Sequence, residues 1–230
     1  MITGDILLAR LHALAARVPF DPGIRPGGRI PAPGGRPAPG PVADLVGRVG
    51  GFAVPPVEFL LTGHPRQESD HGLPDRRWVV SDDGGGGLTW VDITTDGSWG
   101  QVLMQYREGG LYLQADSLGS WLDRLLTTAE QLADAYGPDE DPSSYADDFW
   151  DALHPDGPDL PLHPAPALRA PATDPVLAEL AHRVPDSALL ADLRAATPGS
   201  RARFDRHLRW YRLVRATDGP VFAAVPRDPA

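Results

Sequence analysis

The sequence contains no cysteine and no lysine. The absence of cysteine excludes disulfides, thiolate metal sites and a cysteine nucleophile. All 21 basic residues are arginine, and together with the abundance of Ala, Gly and Pro this is typical of the codon usage of a GC-rich bacterium. The number of arginines is therefore not by itself evidence for anion recognition.

Long apolar segments are also missing. No window approaches the roughly 20 apolar residues of a membrane span. Charged residues interrupt the first 20 positions, which lack the continuous apolar core of a signal peptide. We therefore expect a cytoplasmic protein without a membrane partner. A net charge of −10 disfavours nucleic-acid binding, since phosphate contacts need a basic face, and it suits a basic protein partner.

Proline and glycine, with 26 and 25 residues, divide the chain into five segments. Apolar residues at steps of three and four predict an amphipathic helix in residues 1–20. Residues 21–40 are rich in proline and glycine and predict a mobile linker. Residues 41–137 form the expected core. Residues 138–171 predict an acidic and then proline-rich linker carrying one short helix, "SYADDFWDAL", and residues 172–230 a helical and hairpin extension.

The core segment alternates short β-rich runs with turn residues. "PVADLVGRVGG" predicts a short helix closed by Gly50 and Gly51. "FAVPPVEFLLTG" predicts one strand, which its two prolines place at a sheet edge or a bulge. Four further runs, "RRWVVS", "LTWVDIT", "GQVLMQYR" and "GLYLQA", are separated by Asp-Gly or Gly-Gly turns typical of antiparallel hairpins. The stripe in "DSLGSWLDRLLTTAEQLADAYGP" predicts a long helix. The expected fold class is α+β, with a twisted antiparallel sheet of about 4–6 strands flanked by helices.

Two elements are expected in the first part of the C-terminal extension and one in its last part. Residues 173–196 predict a pair of helices, the second over "SALLADLRAA". An Asp-Gly turn between two β-rich runs predicts a hairpin at residues 201–225. A helix over Arg201 to Val214 is the alternative.

No pattern in the sequence predicts a catalytic or cofactor site. The glycines Gly84–Gly87 precede a predicted strand, whereas a phosphate loop needs a lysine and a following helix. The seven histidines never occur as HxH or HExxH, and no GxSxG is present. The aspartates near these glycines are typical of tight turns, with a calcium site as the alternative. They are Asp82, Asp83, Asp92 and Asp96.

Two segments have opposite charge. Residues 134–159 contain nine acids and no arginine, and residues 201–215 contain six arginines. Either the two segments neutralise each other or are simply solvated, or the acidic one receives a basic partner with aromatic residues as anchors. The residues predicted to bind such a partner lie in the turns and in the acidic segment. They are Asp82, Asp83, Asp96, Trp99, Asp139, Glu140, Asp141, Tyr145 and Trp150.

Residues 41–135 combine Trp78 before a predicted strand, the pair Val91 and Asp92, "GQV" and the helix start "ADSLGSWLDRLL". In these features the segment resembles the SUKH superfamily, which includes bacterial immunity proteins and the fungal Smi/Knr cell-wall-synthesis regulators. Leu118 stands where phenylalanine is usual in that superfamily. It implies an α+β fold and a binding role without catalysis, most often the neutralisation of a polymorphic toxin. We therefore expect a partner that is a basic toxin domain. A regulatory scaffold that binds through the C-terminal extension is the alternative function.

Overall fold

The computed structural model describes residues 2–30, 37–63, 73–106, 109–136, 141–154, 157–170, 173–204 and 211–227. Its α-helices are α1 (Gly4–Ala15), α2 (Gly40–Arg48), α3 (Leu118–Tyr136), α4 (Pro142–Leu153) and α5 (Pro175–Arg183). A 3₁₀ helix covers Ala165–Leu168. The strands are β1 (Arg25–Pro26), β2 (Val49–Val54), β3 (Val57–Leu60), β4 (Arg77–Asp82), β5 (Leu88–Ile93), β6 (Trp99–Tyr106), β7 (Gly110–Ala115), β8 (Leu162–Pro164), β9 (Leu189–Asp192), β10 (Arg201–Arg203), β11 (Tyr211–Arg215) and β12 (Val221–Pro226).

These strands form two antiparallel sheets, which confirms the α+β class. The first sheet has the order β1-β2-β3-β4-β5-β6-β7-β10 and the second has the order β11-β12-β9-β8. The first sheet is larger than the expected 4–6 strands, because β1 and β10 extend its edges. In addition, "FAVPPVEFLLTG" forms two strands with the prolines in the turn between them, since proline cannot donate to a strand ladder.

One face of the first sheet is covered by helices α1 to α4. Alternate strand residues such as Val80, Val91 and Val102 point to this side and join one apolar cluster with the helices. The buried stripe of α3 supplies much of the cover, as its spacing predicts. Its members are Leu118, Trp121, Leu122, Leu125, Leu126, Ala129 and Ala133.

The opposite face of the first sheet is covered by the second sheet. Val79, Trp90 and Leu103 lie between the sheets, and Trp90 meets Phe222 edge-on with ring centroids 5.8 Å apart. Helix α5 and the 3₁₀ helix cover the outer face of the second sheet. The C-terminal extension therefore packs on the core and completes four layers: helices, sheet, sheet, helices.

Two local predictions need correction. Gly50 and Gly51 lie in β2 and do not cap α2. Glycine is needed there because the neighbouring strands approach closely: a Cβ at Gly51 would lie 2.6 Å from the carbonyl oxygen of Phe59. The helix predicted over "SALLADLRAA" is wrong, since its central residues form β9 between β12 and β8. Leu190 packs under α5 and Ala191 faces the first sheet, so tertiary packing overrides helix propensity.

Both predicted linkers contain ordered elements. In the first, Arg25 and Pro26 pair with β2, while residues 31–36 lie outside the described ranges. In the second, α4 occupies the predicted short helix and packs on α3. The predicted C-terminal hairpin is confirmed as β11 and β12. Within the described residues, no helix combines the length and apolar composition required to cross a membrane.

Candidate functional site

The glycine-rich turn between β4 and β5 is held by two aspartates. The Asp82 carboxylate accepts the Gly84 N–H at 2.8 Å, and Oδ1 of Asp83 accepts the N–H groups of Gly85 and Gly87, each at 2.7 Å. Gly84 has φ +74°, a left-handed conformation that glycine adopts without strain. These bonds are the turn chemistry expected from the sequence.

The calcium alternative finds no ligand set in the part of the chain described. Asp92 pairs with Arg215, and Asp96 accepts the Ser98 N–H at 3.0 Å in a different turn. No group of three or more His, Asp or Glu side chains among the described residues is placed to hold a metal ion.

A cleft of about 560 Å³ lies between this turn and helix α4. We call it the acidic groove, and it is lined by Pro56, Asp83, Gly85, Gly87, Tyr106, Asp147, Trp150 and Asp151. Asp147, Trp150 and Asp151 share one face of α4, because residues three and four apart are neighbours on a helix. The opposite face of α4 carries Tyr145 and Phe149, which are fully buried. Packing of those two side chains thus orients the carboxylates toward the groove.

A row of aromatic rings lies at one side of the acidic groove. Tyr106 meets Tyr112 edge-on at 4.5 Å between centroids, and Trp150 lies 4.1 Å from the ring of His154. Tyr106, Trp150 and Asp151 also line a second cleft of about 220 Å³. The two clefts therefore adjoin at these three side chains.

The adjoining cleft contains a neutral histidine. Burial lowers the pKa of His154 to about 4, although the Trp150 carbonyl 2.9 Å from Nδ1 opposes the shift. Arg124 also lines this cleft and donates to Oε1 of Gln114 at 3.0 Å. Burial lowers the pKa of Arg124. A cation is accordingly favoured in the acidic groove and disfavoured beside Arg124.

Several acids outside the acidic groove pair with arginine. Asp123 and Glu130 both bond Arg10, at 2.5 and 2.8 Å, and Asp159 lies within 3.3 Å of two arginines on β10. Among the described residues, no arginine pairs with the groove's three carboxylates, which belong to Asp83, Asp147 and Asp151. Among the residues that the structure describes, no arginine therefore compensates the negative charge of the groove.

The other residues predicted to bind a partner lie elsewhere. Trp99 packs against Trp78 with centroids 5.8 Å apart, beside the turn that contains Asp96. Asp141 caps α4 by accepting the Ser143 N–H at 3.0 Å. Tyr145 is fully buried and donates to the Ala129 carbonyl at 2.8 Å. Asp139 and Glu140 lie outside the described residues.

In the described parts of the two oppositely charged segments, the ion pairs between them involve Asp159. Arg201 and Arg203 pair with Asp159 at 3.3 and 3.1 Å, at the end of the acidic segment. Arg215 instead pairs with Asp92, which lies in β5. The aspartates of α4, which are Asp147, Asp148 and Asp151, are exposed.

Sequence reasoning missed three of the polar and aromatic side chains that line the groove, those of Tyr106, Asp147 and Asp151. Asp147 and Asp151 belong to a recognised acidic run, and their spacing with Trp150 inside a predicted helix was the signal that could have identified one face. Tyr106 ends a strand and carries no such signal. Comparison with known proteins adds no assignment, since no protein-family model, curated protein or solved structure matches the chain.

Proposed function

We propose that the chain is a non-catalytic protein-binding module whose acidic groove receives basic side chains of a partner. The proposed biological role is that of an immunity protein of the SUKH type, which binds and neutralises a polymorphic toxin effector with a basic domain. The observation that carries the proposal is that no arginine among the described residues pairs with the three carboxylates of the acidic groove. Three carboxylates beside an aromatic wall are complementary to arginine or lysine.

The chemistry of the groove favours a cation presented on a protein surface. Carboxylates from the β4–β5 turn and from α4 approach a bound guanidinium or ammonium from two sides, through Asp83 and Asp147. The rings of Trp150 and Tyr106 add cation–π attraction where water is displaced. Tryptophan and tyrosine at the centre of an interface are also frequent energetic anchors. A small basic loop therefore fits better than a flat surface.

The net charge of −10 supports the same partner at long range. Opposite charge speeds the encounter of two proteins, and the speed falls with ionic strength. Discrimination between basic partners at short range then depends on contacts in the acidic groove. Occlusion of a basic active surface needs no chemistry from this chain.

The test uses the full-length chain as bait in lysate of cells that express the neighbouring genes. Its groove variant is Asp147→Asn with Asp151→Asn, and its matched control is Asp116→Asn with Asp218→Asn, which removes the same charge from exposed positions. A basic partner should be retained by the wild type and the control. The groove variant should bind the purified partner roughly 10- to 100-fold more weakly, by analogy with interfacial charge pairs.

The immunity role is tested separately with that partner. Expression of the partner alone should stop growth, and coexpression of the chain should restore it. The groove variant should restore growth less well than the control variant at equal protein levels. Equal binding by the groove and control variants would refute the groove as the binding surface, and a partner that is harmless to cells would refute the immunity role.

A further inference from the structure

A third cleft, of about 400 Å³, lies where the first sheet meets the C-terminal hairpin. It is adjacent to the start of β4 and to the turn after β5, whereas the acidic groove lies at the other end of these strands. Six strand residues separate the two ends by roughly 20 Å. We call it the arginine cleft after the guanidinium groups that line it: Arg76, Arg183, Arg212 and Arg215.

Two of these arginines are fixed in place. Nε of Arg215 donates to both carboxylate oxygens of Asp92, and Nη1 donates to the Ala216 carbonyl at 2.8 Å. Arg183 is held by Glu179 at 2.9 Å and by the Thr217 hydroxyl at 3.3 Å. These contacts brace the chain after β11, which is a sufficient structural reason for Arg183 and Arg215.

Bracing of the chain after β11 does not account for the other two arginines of the cleft. Arg76 and Arg212 are exposed and have no carboxylate partner among the described residues; Arg76 reaches only the Thr94 carbonyl, at 3.5 Å. One carboxylate, that of Asp75, lines the cleft beside them. Two guanidinium groups without a carboxylate partner among the described residues thus line one concave site of a chain with a net charge of −10.

A buried donor at the cleft also lacks a partner. The Arg215 side chain is 7% exposed, and its Nη2 group has no hydrogen-bond acceptor among the described residues. A buried N–H without an acceptor costs free energy. An oxyanion within reach of this guanidinium would satisfy it.

We propose that the arginine cleft binds a small phosphate monoester. A phosphate presents several acceptor oxygens, and guanidinium groups bind them in pairs of parallel hydrogen bonds. Leu73 and Leu213 line the same cleft and are mostly buried, so they provide an apolar surface for the organic part of the ligand. The volume lies in the range of small-molecule sites.

Calorimetric titration of the full-length chain at low ionic strength tests the proposal with three probes: phenyl phosphate, inorganic phosphate and phenol. Phenyl phosphate should bind at one site per chain. Inorganic phosphate should bind at the same site at least threefold more weakly, and phenol should not bind. Affinity for phenyl phosphate should fall as salt is added, because the attraction is electrostatic.

A matched pair of variants locates the site. Arg76→Gln with Arg212→Gln should weaken phenyl phosphate binding at least tenfold, whereas Arg25→Gln with Arg29→Gln removes the same charge from another surface and should leave it within twofold. Four results would overturn the proposal: no binding by the wild type, no loss in the cleft variant, equal loss in both variants, or equal affinity for phenyl phosphate and inorganic phosphate. Because the probes contain no protein, the outcome is independent of the proposed partner.

Discussion

Replacing Arg215 by methionine should destabilise the chain by about 3–5 kcal/mol, because the change leaves a buried carboxylate without its counter-charge. Asp92 and Arg215 lie between the two sheets, with side chains 2% and 7% exposed. Nε of Arg215 bonds the two Asp92 oxygens at 2.7 and 2.9 Å. Methionine keeps much of the apolar contact of the arginine stem, so the loss reports chiefly on the charge.

The cost should depend on pH in a defined direction. Burial raises the pKa of Asp92, and the hydrogen bond from Arg215 opposes that rise. Without Arg215 the pKa of Asp92 rises further. A carboxyl whose pKa is higher in the folded than in the unfolded state binds its proton more tightly when folded, so stability falls as pH rises above the unfolded value. The destabilisation by Arg215→Met should therefore be larger at pH 7 than at pH 5.

Urea unfolding at pH 5 and pH 7 measures both the loss of stability and its dependence on pH. The unfolding midpoints are compared between variants with the same m-value. The double variant Asp92→Leu with Arg215→Met should recover most of the loss, since apolar replacement of a whole buried pair is often neutral or stabilising. Arg212→Met, an exposed change on the same strand, should cost no more than about 0.5 kcal/mol. A cost for Arg215→Met below about 1 kcal/mol, or no recovery in the double variant, would refute the interpretation of the pair as buried.

Two further predictions concern the surroundings of the acidic groove. Burial lowers the pKa of His154 to about 4, whereas the pKa of a histidine in the unfolded chain is near 6.5. The free energy of unfolding should therefore rise by at most about 3 kcal/mol as the pH rises from about 4 to about 6.5. The same stability is lost as the pH falls through that window. Urea midpoints should show this rise flattened in His154→Gln and kept in the exposed control His12→Gln. In the glycine-rich turn between β4 and β5, Gly86 has φ +101°, so Gly86→Ala should cost about 1–2 kcal/mol of stability. A Cβ at Gly85 would meet nothing closer than 3.4 Å, so Gly85→Ala should stay near wild type. Thermal unfolding measures both variants. Equal costs at the two glycines would contradict the assigned turn geometry.

Local chemistry explains what could be predicted from the sequence. The strands around "DDGGGG" and "TDGSW" follow from turn residues between short β-rich runs, and α3 follows from its leucine stripe. Strand β9 did not follow, because Leu190 and Ala191 are buried on opposite faces of the sheet and give no alternation of apolar and polar residues. The packing of Trp99 against Trp78 depends on a contact between β4 and β6 that no local pattern encodes.

The acidic groove shows the same division between local and long-range information. The face of α4 with Asp147 and Trp150 can be read from helical spacing, and the Asp83 turn from its glycines. Their meeting across the cleft depends on how α4 packs against the first sheet. Charge counts alone suggested neutralisation by the arginine-rich segment, but the structure places Arg215 against Asp92 and leaves the groove carboxylates unpaired among the described residues.

The position of the C-terminal sheet decides how the competing functions can be separated. A scaffold that binds through its extension would lose its partner on truncation after residue 171, whereas an immunity core would keep it. Truncation would, however, uncover Val79, Trp90 and Leu103, which are fully buried beneath the second sheet, and an exposed apolar face of that kind promotes aggregation. Loss of binding after truncation would then follow under either function. Substitutions at exposed positions avoid this ambiguity, because Asp147 and Asp151 lie on α4, away from the sheet–sheet contact, and their replacement leaves the four layers intact.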